Sequence, residues 1–192
     1  MDELKKRILK DAELGDGDII RVDMFLNHCM DVALLERVGR ALAKRFRGEK
    51  ITKVLTVESS GIAVACFTAL ALGVPAVYAK KFLTGSAATA IYTAEVHSFS
   101  MEKSYTIRVS RRYLDEDDRV LLVDDILASG QAILGLLEIA SKAGAEIAGI
   151  GVAIEKATKD GGDVLRRMGM RVESLVTVDH IEDGRIILAE DD

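Results

Sequence analysis

Tryptophan is absent from this 192-residue chain, aromatic residues make up only 5% of it, and Pro75 is its single proline. Its core must therefore rest on Ala, Val, Ile and Leu, and a hydrophobic content of 49% is ample for that. Cysteine is scarce too: Cys29 and Cys66 are the only two. Two cysteines exclude a disulfide framework, and their spacing matches no zinc motif. A reducing compartment, the cytoplasm, is the expectation, with both thiols buried as small hydrophobes. Basic excess is missing as well. A net charge of -5 speaks against a nucleic-acid surface. The opening "MDELKKRILKD" carries acids and has no apolar signal core, so no export signal is expected. Repeats, low-complexity runs and linkers rich in Pro or Gly are also lacking. One uncharged run, 61–79, approaches membrane-spanning length, but Gly73 and Pro75 divide it. A helix over 62–72 and a strand over 76–80, both in a core, are the better reading.

What is present alternates strand and helix. Residues 31–46 place apolar side chains at 34, 35, 38, 41, 42 and 46, a helical spacing that Asp31 can cap. Strands are expected at 51–57 and 76–80, with the polar loop "ESSG" (58–61) leading into the helix of 62–72. From 81 to about 116 the chain turns polar and rich in Ser, Thr and small residues. Its stretches 91–99 and 104–110 alternate as hairpin strands do, and a long insertion of this kind reads as a flap. A strand at 119–123, a helix at 131–143 stopped by Gly144, and a buried strand at 146–156 follow. A short helix at 160–169 and strand-like stretches at 171–178 and 185–189 close the chain. This order spells an α/β fold, a mostly parallel sheet covered on both faces. The length suits one domain.

The chemistry gathers where such a sheet holds ligands, beyond the carboxyl ends of its strands. "RVLLVDDILASGQA" (119–132) runs from an apolar strand into two acids and then into small residues. Successive N–H groups of Ala128, Ser129, Gly130, Gln131 and Ala132, feeding a helix N-terminus, form an anion nest suited to a monophosphate. Asp124 and Asp125 would repel that phosphate, so they need another task. Ribose hydroxyls are donors that want carboxylate acceptors. The acids alone also fit a solvated turn, or the paired acids of receiver domains, which lie instead on a first strand. Acids followed by a nest describe a cradle for ribose 5-phosphate.

With these motifs in view, "VLLVDDILASGQA" resembles the phosphoribosyl pyrophosphate signature of the type I phosphoribosyltransferases. Together with "VDMFLNH", "VESSGIA" and "AGIGVAIEK", it is similar along nearly the whole chain to the xanthine-using bacterial branch of that family. The departures are Ser129 and Gln131, where threonines are usual. The resemblance implies a single domain with a central sheet, a hood from about 1–30 and the C-terminal segment, and a flexible hairpin flap over about 81–116. It implies transfer of the phosphoribosyl group to a purine, with release of pyrophosphate, in purine salvage. Asp124 and Asp125 would hold the ribose hydroxyls and stabilise positive charge growing on the sugar; residues 128–132 would hold the 5-phosphate. Glu58, Ser59, Ser60 and Gly61 match the pyrophosphate loop, which in this family often contains a non-proline cis peptide. An ordinary strand-to-helix turn with a serine cap is the plainer alternative for "ESSG". Lys80 and Lys81 stand where relatives place basic residues that neutralise the leaving pyrophosphate, in their own or a neighbouring subunit. Mg2+ would bridge substrate oxygens with no dedicated protein ligand set. A homodimer is expected, with no nucleic-acid or membrane partner.

Base choice falls by the same resemblance to Ile20, Asn27 and Lys156. The Lys156 ammonium has donors only and suits a purine 6-carbonyl over the amino group of adenine. The Asn27 amide could donate to a 2-carbonyl, but an amide can flip, so guanine and hypoxanthine stay open beside xanthine. Ile20 reads equally as core, and Asn27 as a helix-entry turn. No general acid or base is identified; Glu95 is the nearest candidate and reads as well as a solvated strand residue. His28 is expected to be structural. His97 and His180 lack partners at a recognisable spacing, and Arg111, Arg112 and "DEDD" (115–118) read as a solvated loop. A non-catalytic sensor of phosphoribosyl pyrophosphate is a further alternative, disfavoured by the acidic charge and by the 30 or so residues ahead of the first core helix.

Overall fold

A continuous apolar strand, β7 (Arg119–Leu127), runs through the middle of the molecule with Val120 to Asp125 all buried. The computed structural model describes residues 1–15, 19–81, 90–98 and 103–190. Before β7 come α1 (Asp2–Asp11), β1 (Glu13–Gly15), β2 (Ile19–Arg21), α2 (Val32–Arg45), β3 (Lys53–Val57), α3 (Gly61–Leu72), β4 (Ala76–Ala79), β5 (Ile91–Ser98) and β6 (Lys103–Ser110). After it come α4 (Gln131–Ala143), β8 (Glu146–Lys156), α5 (Gly161–Arg167), β9 (Val172–Glu182) and β10 (Arg185–Leu188). Six strands make one sheet in the order β10-β9-β8-β7-β3-β4. Every pairing in it is parallel except β9 with β10. The mostly parallel, helix-flanked sheet expected from the strand–helix alternation is the one observed.

Two apolar layers fill the faces. One joins α1, α2 and α3 to the sheet through Leu4, Ile8, Leu35, Leu42, Phe46 and Val64. The other joins α4 to the sheet and to the β5–β6 hairpin. Along β5, Tyr92, Ala94 and Val96 are buried, while Glu95 and His97 are exposed. That two-residue period lays the hairpin root on α4.

Several boundaries differ from the sequence reading. Strand β4 ends at Ala79, because Lys80 leaves the sheet to form an isolated bridge with Arg108. The hairpin strand expected to reach 99 is described to Ser98, and residue 99 lies outside the described residues. The small β1–β2 pair and a π-helical turn at Asp23–Asn27 had no clear periodic signal, while α1 forms on the helical spacing of the buried Leu4 and Ile8. Both thiols are exposed, not buried. Cys66 lies on the outer side of α3, whose inner side alone packs, and Cys29 lies in the turn ahead of α2.

The acidic loop is not uniformly solvated either. Asp118 is buried against Lys53 Nζ at 2.6 Å, because the charge-bearing ends of β3 and β7 lie side by side. Arg111 stacks on Tyr92, 4.9 Å from the ring centre. Two histidines have partners at close range: His97 Nδ1 lies 3.2 Å from Ser104 Oγ, and His180 Nδ1 lies 2.8 Å from Asp179. Among the described residues no helix is long and apolar enough to cross a membrane.

Candidate functional site

The carboxyl ends of β3, β7 and β8 open on one edge of the sheet, and the polar loops converge there. Asp124 and Asp125 are 6% and 5% exposed, burial that two neighbouring carboxylates tolerate only with partners or a proton. Asp124 Oδ1 accepts from the Asp125 backbone N–H at 3.0 Å. Burial first, and then the charge of Asp125, push the Asp124 carboxyl well above the usual carboxylate range, against a smaller opposing pull from Lys81. Asp125 is held from both ends: Ser60 Oγ donates to Oδ1 at 2.9 Å and Asn27 Nδ2 donates to Oδ2 at 3.0 Å. One carboxylate thus joins its own strand to two segments that lie 98 and 65 residues from it in sequence.

The "ESSG" turn is not an ordinary capped helix entry. The Ser60 side chain makes no cap bond to α3; it is committed to Asp125. The Glu58–Ser59 peptide is cis. Gly61 starts α3 so close to the acids that a Cβ would stand 2.7 Å from Asp124 Oδ1 and 2.2 Å from Thr56 Oγ1. Among the described residues that threonine hydroxyl is the buried side-chain polar atom without a hydrogen-bond partner. Glu58 Oε1 accepts from the Lys81 backbone N–H at 2.5 Å, which ties this turn to the root of the hairpin. Lys80 exchanges two backbone hydrogen bonds of 2.9 Å with Arg108, and Arg108 Nη1 donates to the Lys81 carbonyl at 2.7 Å. The Lys81 ammonium lies 4.8 Å from the centre of the Tyr105 ring. Burial, and secondarily the charge of Asp124, raise the Tyr105 phenol.

Beyond the acids the chain bends through Ala128, Ser129 and Gly130 into α4. Gly130 has φ +76°, a left-handed conformation at which glycine alone carries no steric penalty. No side chain caps α4, so the N–H groups around Gln131 and Ala132 have no intrahelical partner. The loop lies directly on α5: Gly161 N–H donates to the Ala128 carbonyl at 3.2 Å, and a Cβ on Gly161 would meet that oxygen at 2.2 Å. Lys156 ends β8 and is 6% exposed. The preceding Glu155 is gripped by Arg166 at 2.7 and 2.8 Å and by the Ser174 hydroxyl. Burial works against its charge, but Arg166 and Ser174 outweigh that and hold its carboxyl below the usual range. Ile20 is a buried member of the α1–α2–α3 core layer.

Hydrogen bonds therefore join Asn27, Ser60, Asp124 and Asp125 in one group and Glu58 and Lys81 in a second. Tyr105 adjoins these groups through Lys81 and the charge of Asp124, Gly161 packs instead under Ala128 to Gly130, and neither carries a motif. "DGGD" reads as any turn, and only close packing reveals that its second residue supports the nest. No group of three His, Cys, Asp or Glu side chains able to hold a metal lies among the described residues.

Residues 31–183 match the family model described as phosphoribosyl transferase domain. The chain is 46% identical over 190 residues to xanthine phosphoribosyltransferase of Ruminiclostridium cellulolyticum, covering 99% of this chain and 100% of that one. It is 45% identical over 190 residues to the enzyme of the same name from Bacillus cytotoxicus, covering 99% and 96%. Among solved structures it resembles adenine phosphoribosyltransferase of Thermoanaerobacter pseudethanolicus, with a TM-score of 0.75 and 21% identity over 92% of this chain and 98% of that one. The Giardia lamblia enzyme complexed with 9-deazaadenine gives a TM-score of 0.76 at 24% identity, with the same coverage. At these identities the structures support the fold alone.

Proposed function

The chain belongs to the phosphoribosyltransferase family, and we propose that it transfers the 5-phosphoribosyl group of phosphoribosyl pyrophosphate to xanthine. The bond from ribose C1 to the pyrophosphate oxygen breaks, a bond from C1 to a purine ring nitrogen forms, and pyrophosphate leaves. The products are xanthosine 5'-monophosphate and pyrophosphate, a purine-salvage step. The observation that carries this reading is the juxtaposition of the buried Asp124–Asp125 pair with the uncapped nest at the start of α4.

In this reading Asp124 and Asp125 accept from the ribose hydroxyls and stabilise the oxocarbenium-like charge on the ring. Ala128, Ser129, Gly130, Gln131 and Ala132 hold the 5-phosphate through backbone N–H groups and the Ser129 hydroxyl. Glu58, Ser59, Ser60 and Gly61 shape the pyrophosphate loop, and Lys80 and Lys81 balance the charge of the leaving group. Positioning carries most of the rate, since the reaction needs no covalent intermediate with the protein. Mg2+ would neutralise pyrophosphate charge. With the donor set limited to these two acids, it fits as an ion held mainly by substrate oxygens. Lys156 donates to the purine 6-carbonyl, Asn27 to the 2-carbonyl, and Ile20 supplies apolar contact.

The reading extends to a single domain, with α1, the β1–β2 pair and β10 as hood and the β5–β6 hairpin as flap. Leu4 and Ile8 of α1 pack in the same layer as Ile186 of β10, which supports a hood built from both ends of the chain. It extends also to a homodimer, supported by the exposed apolar side chains Leu70 of α3 and Tyr78 of β4, and to a cytoplasmic setting suited to two free thiols. Turnover followed by absorbance, with magnesium, phosphoribosyl pyrophosphate and each of xanthine, guanine, hypoxanthine and adenine, is the test. Xanthine is expected to give the highest kcat/KM. No turnover of any oxopurine would overturn the enzymatic reading, and faster use of guanine would overturn the base assignment.

A further inference from the structure

Lys156 cannot distinguish the oxopurines, because xanthine, guanine and hypoxanthine all carry a carbonyl at position 6. Discrimination falls to position 2, where xanthine presents an acceptor, guanine a donor and hypoxanthine only hydrogen. A neutral amide is ambiguous there: rotated one way it donates, rotated the other way it accepts. Asn27 is not free to rotate. Its Nδ2 lies 3.0 Å from Asp125 Oδ2, and a carboxylate can only accept. Reversing the amide would set two acceptor oxygens against each other at that separation. The carboxylate is in turn immobilised, since Ser60 Oγ holds its other oxygen at 2.9 Å and its own backbone N–H is bonded to Asp124 Oδ1 at 3.0 Å.

We propose that Asp125 is a specificity-determining residue for the base, because it fixes the Asn27 amide with its NH2 toward the acids and so dictates a donor for position 2 of the purine. The proposal rests on the reading above that Asn27 meets the base. Nδ2 has two N–H bonds; Asp125 takes one, and the other serves the 2-carbonyl of xanthine. The same hydrogen would oppose the 2-amino group of guanine. The ribose role of Asp125 is not displaced. A carboxylate has about four acceptor sites, so Asn27 and Ser60 leave others for the sugar hydroxyls.

The test uses a ratio, so that lost ribose chemistry cancels. The kcat/KM for xanthine divided by that for guanine is measured for the wild type, Asp125→Asn, Asp124→Asn and Asn27→Ala. A carboxamide at 125 can donate or accept, so the Asn27 amide can reverse. The ratio is then expected to fall at least tenfold in Asp125→Asn, and to stay within twofold of wild type in Asp124→Asn despite a comparable loss of rate. An unchanged ratio in Asp125→Asn overturns the inference. If Asn27→Ala collapses the ratio while Asp125→Asn preserves it, Asn27 meets the base and only the orienting role of Asp125 fails. If Asn27→Ala also leaves the ratio intact, the base-site assignment itself fails. Should Asp125→Asn turn over too slowly, calorimetric affinities for 9-deazaxanthine and 9-deazaguanine with magnesium phosphoribosyl pyrophosphate give the same ratio without reaction. Asp125→Ser, which adds a donor, replaces Asp125→Asn if that variant does not fold, and the same outcomes decide.

Discussion

The two ends of β7 carry acids of equal surface exposure and opposite character. Asp118, just ahead of the strand, and Asp124, within its last turns of pleat, are each 6% exposed. At Asp118 burial works to raise the carboxyl, but Lys53, the Asp115 N–H and the Thr52 hydroxyl outweigh it and hold it below the usual range. At Asp124 burial acts in the same direction, and the nearest charge, Asp125, adds to it. Low surface exposure by itself therefore does not separate the two sites. Depth and the sign of the neighbour do: Asp124 is the more deeply desolvated, and a cation offsets burial at Asp118 while a second anion adds to it at Asp124.

Removing an acid at each end should separate rate from stability. Asp124→Asn is expected to lower kcat by roughly 10²–10³-fold, since it removes the acid proposed to face the ribose hydroxyls and the developing cation. Because the folded-state carboxyl of Asp124 titrates above its unfolded value, its charging costs stability as pH rises from the unfolded toward the folded value. The asparagine variant should therefore melt a few degrees higher than wild type at neutral pH, read by calorimetry, where about 1 kcal/mol is worth roughly 2–4 °C. A variant that loses activity and also melts lower would break the contrast.

The nest beyond the carboxyl end of β7 tests positioning rather than charge. Gly161→Ala drives a methyl group to within 2.2 Å of the Ala128 carbonyl and must displace the loop. The expected result is a roughly 10–100-fold rise in KM for phosphoribosyl pyrophosphate, with a smaller effect on KM for the base, in steady-state kinetics.

The smallest effect on catalysis belongs to the other end of the strand. Asp118→Asn should leave kcat/KM within about twofold, yet cost about 1–2 kcal/mol of stability by weakening the Lys53 pair and the Asp115 and Thr52 hydrogen bonds. The Asp118 carboxyl titrates lower in the folded state than in the unfolded one. Its contribution is therefore present above the unfolded value and is lost as pH falls through the folded value. In wild type, denaturant unfolding should show stability falling across that acidic window, and the slope should flatten in Asp118→Asn.

The central elements were readable because each has a strong local signal. The helices at α2 and α4, the strand β8 and the Gly144 stop fell within a residue or so of their expected positions. The β1–β2 pair was not readable, since three-residue strands have little periodicity to detect, whereas α1 does carry a helical signal, Leu4 and Ile8 one turn apart and both buried among charged neighbours, in a segment expected only as part of the hood. The thiols and the acidic loop depart from the burial their residue types suggest for a related reason. Residue type carries a burial tendency, but Cys66 lies on the open side of an uncharged helix and Asp118 lies beside a lysine from another strand. Neither circumstance is written locally.

What the sequence by itself determined is the strand–helix alternation, the acids at the end of a buried strand and the small-residue nest behind them. These follow from periodicity, side-chain chemistry and the steric freedom of glycine, all of which act over a few residues. Only the tertiary structure decided which donors Asp125 keeps, that Ser60 serves an acid rather than a helix end, that Gly161 floors the nest, and which way the Asn27 amide faces. Those facts depend on hydrogen bonds and contacts between segments 30 to 100 residues apart, whose partners are chosen by the packing of the sheet and its helices and by nothing in the neighbouring sequence.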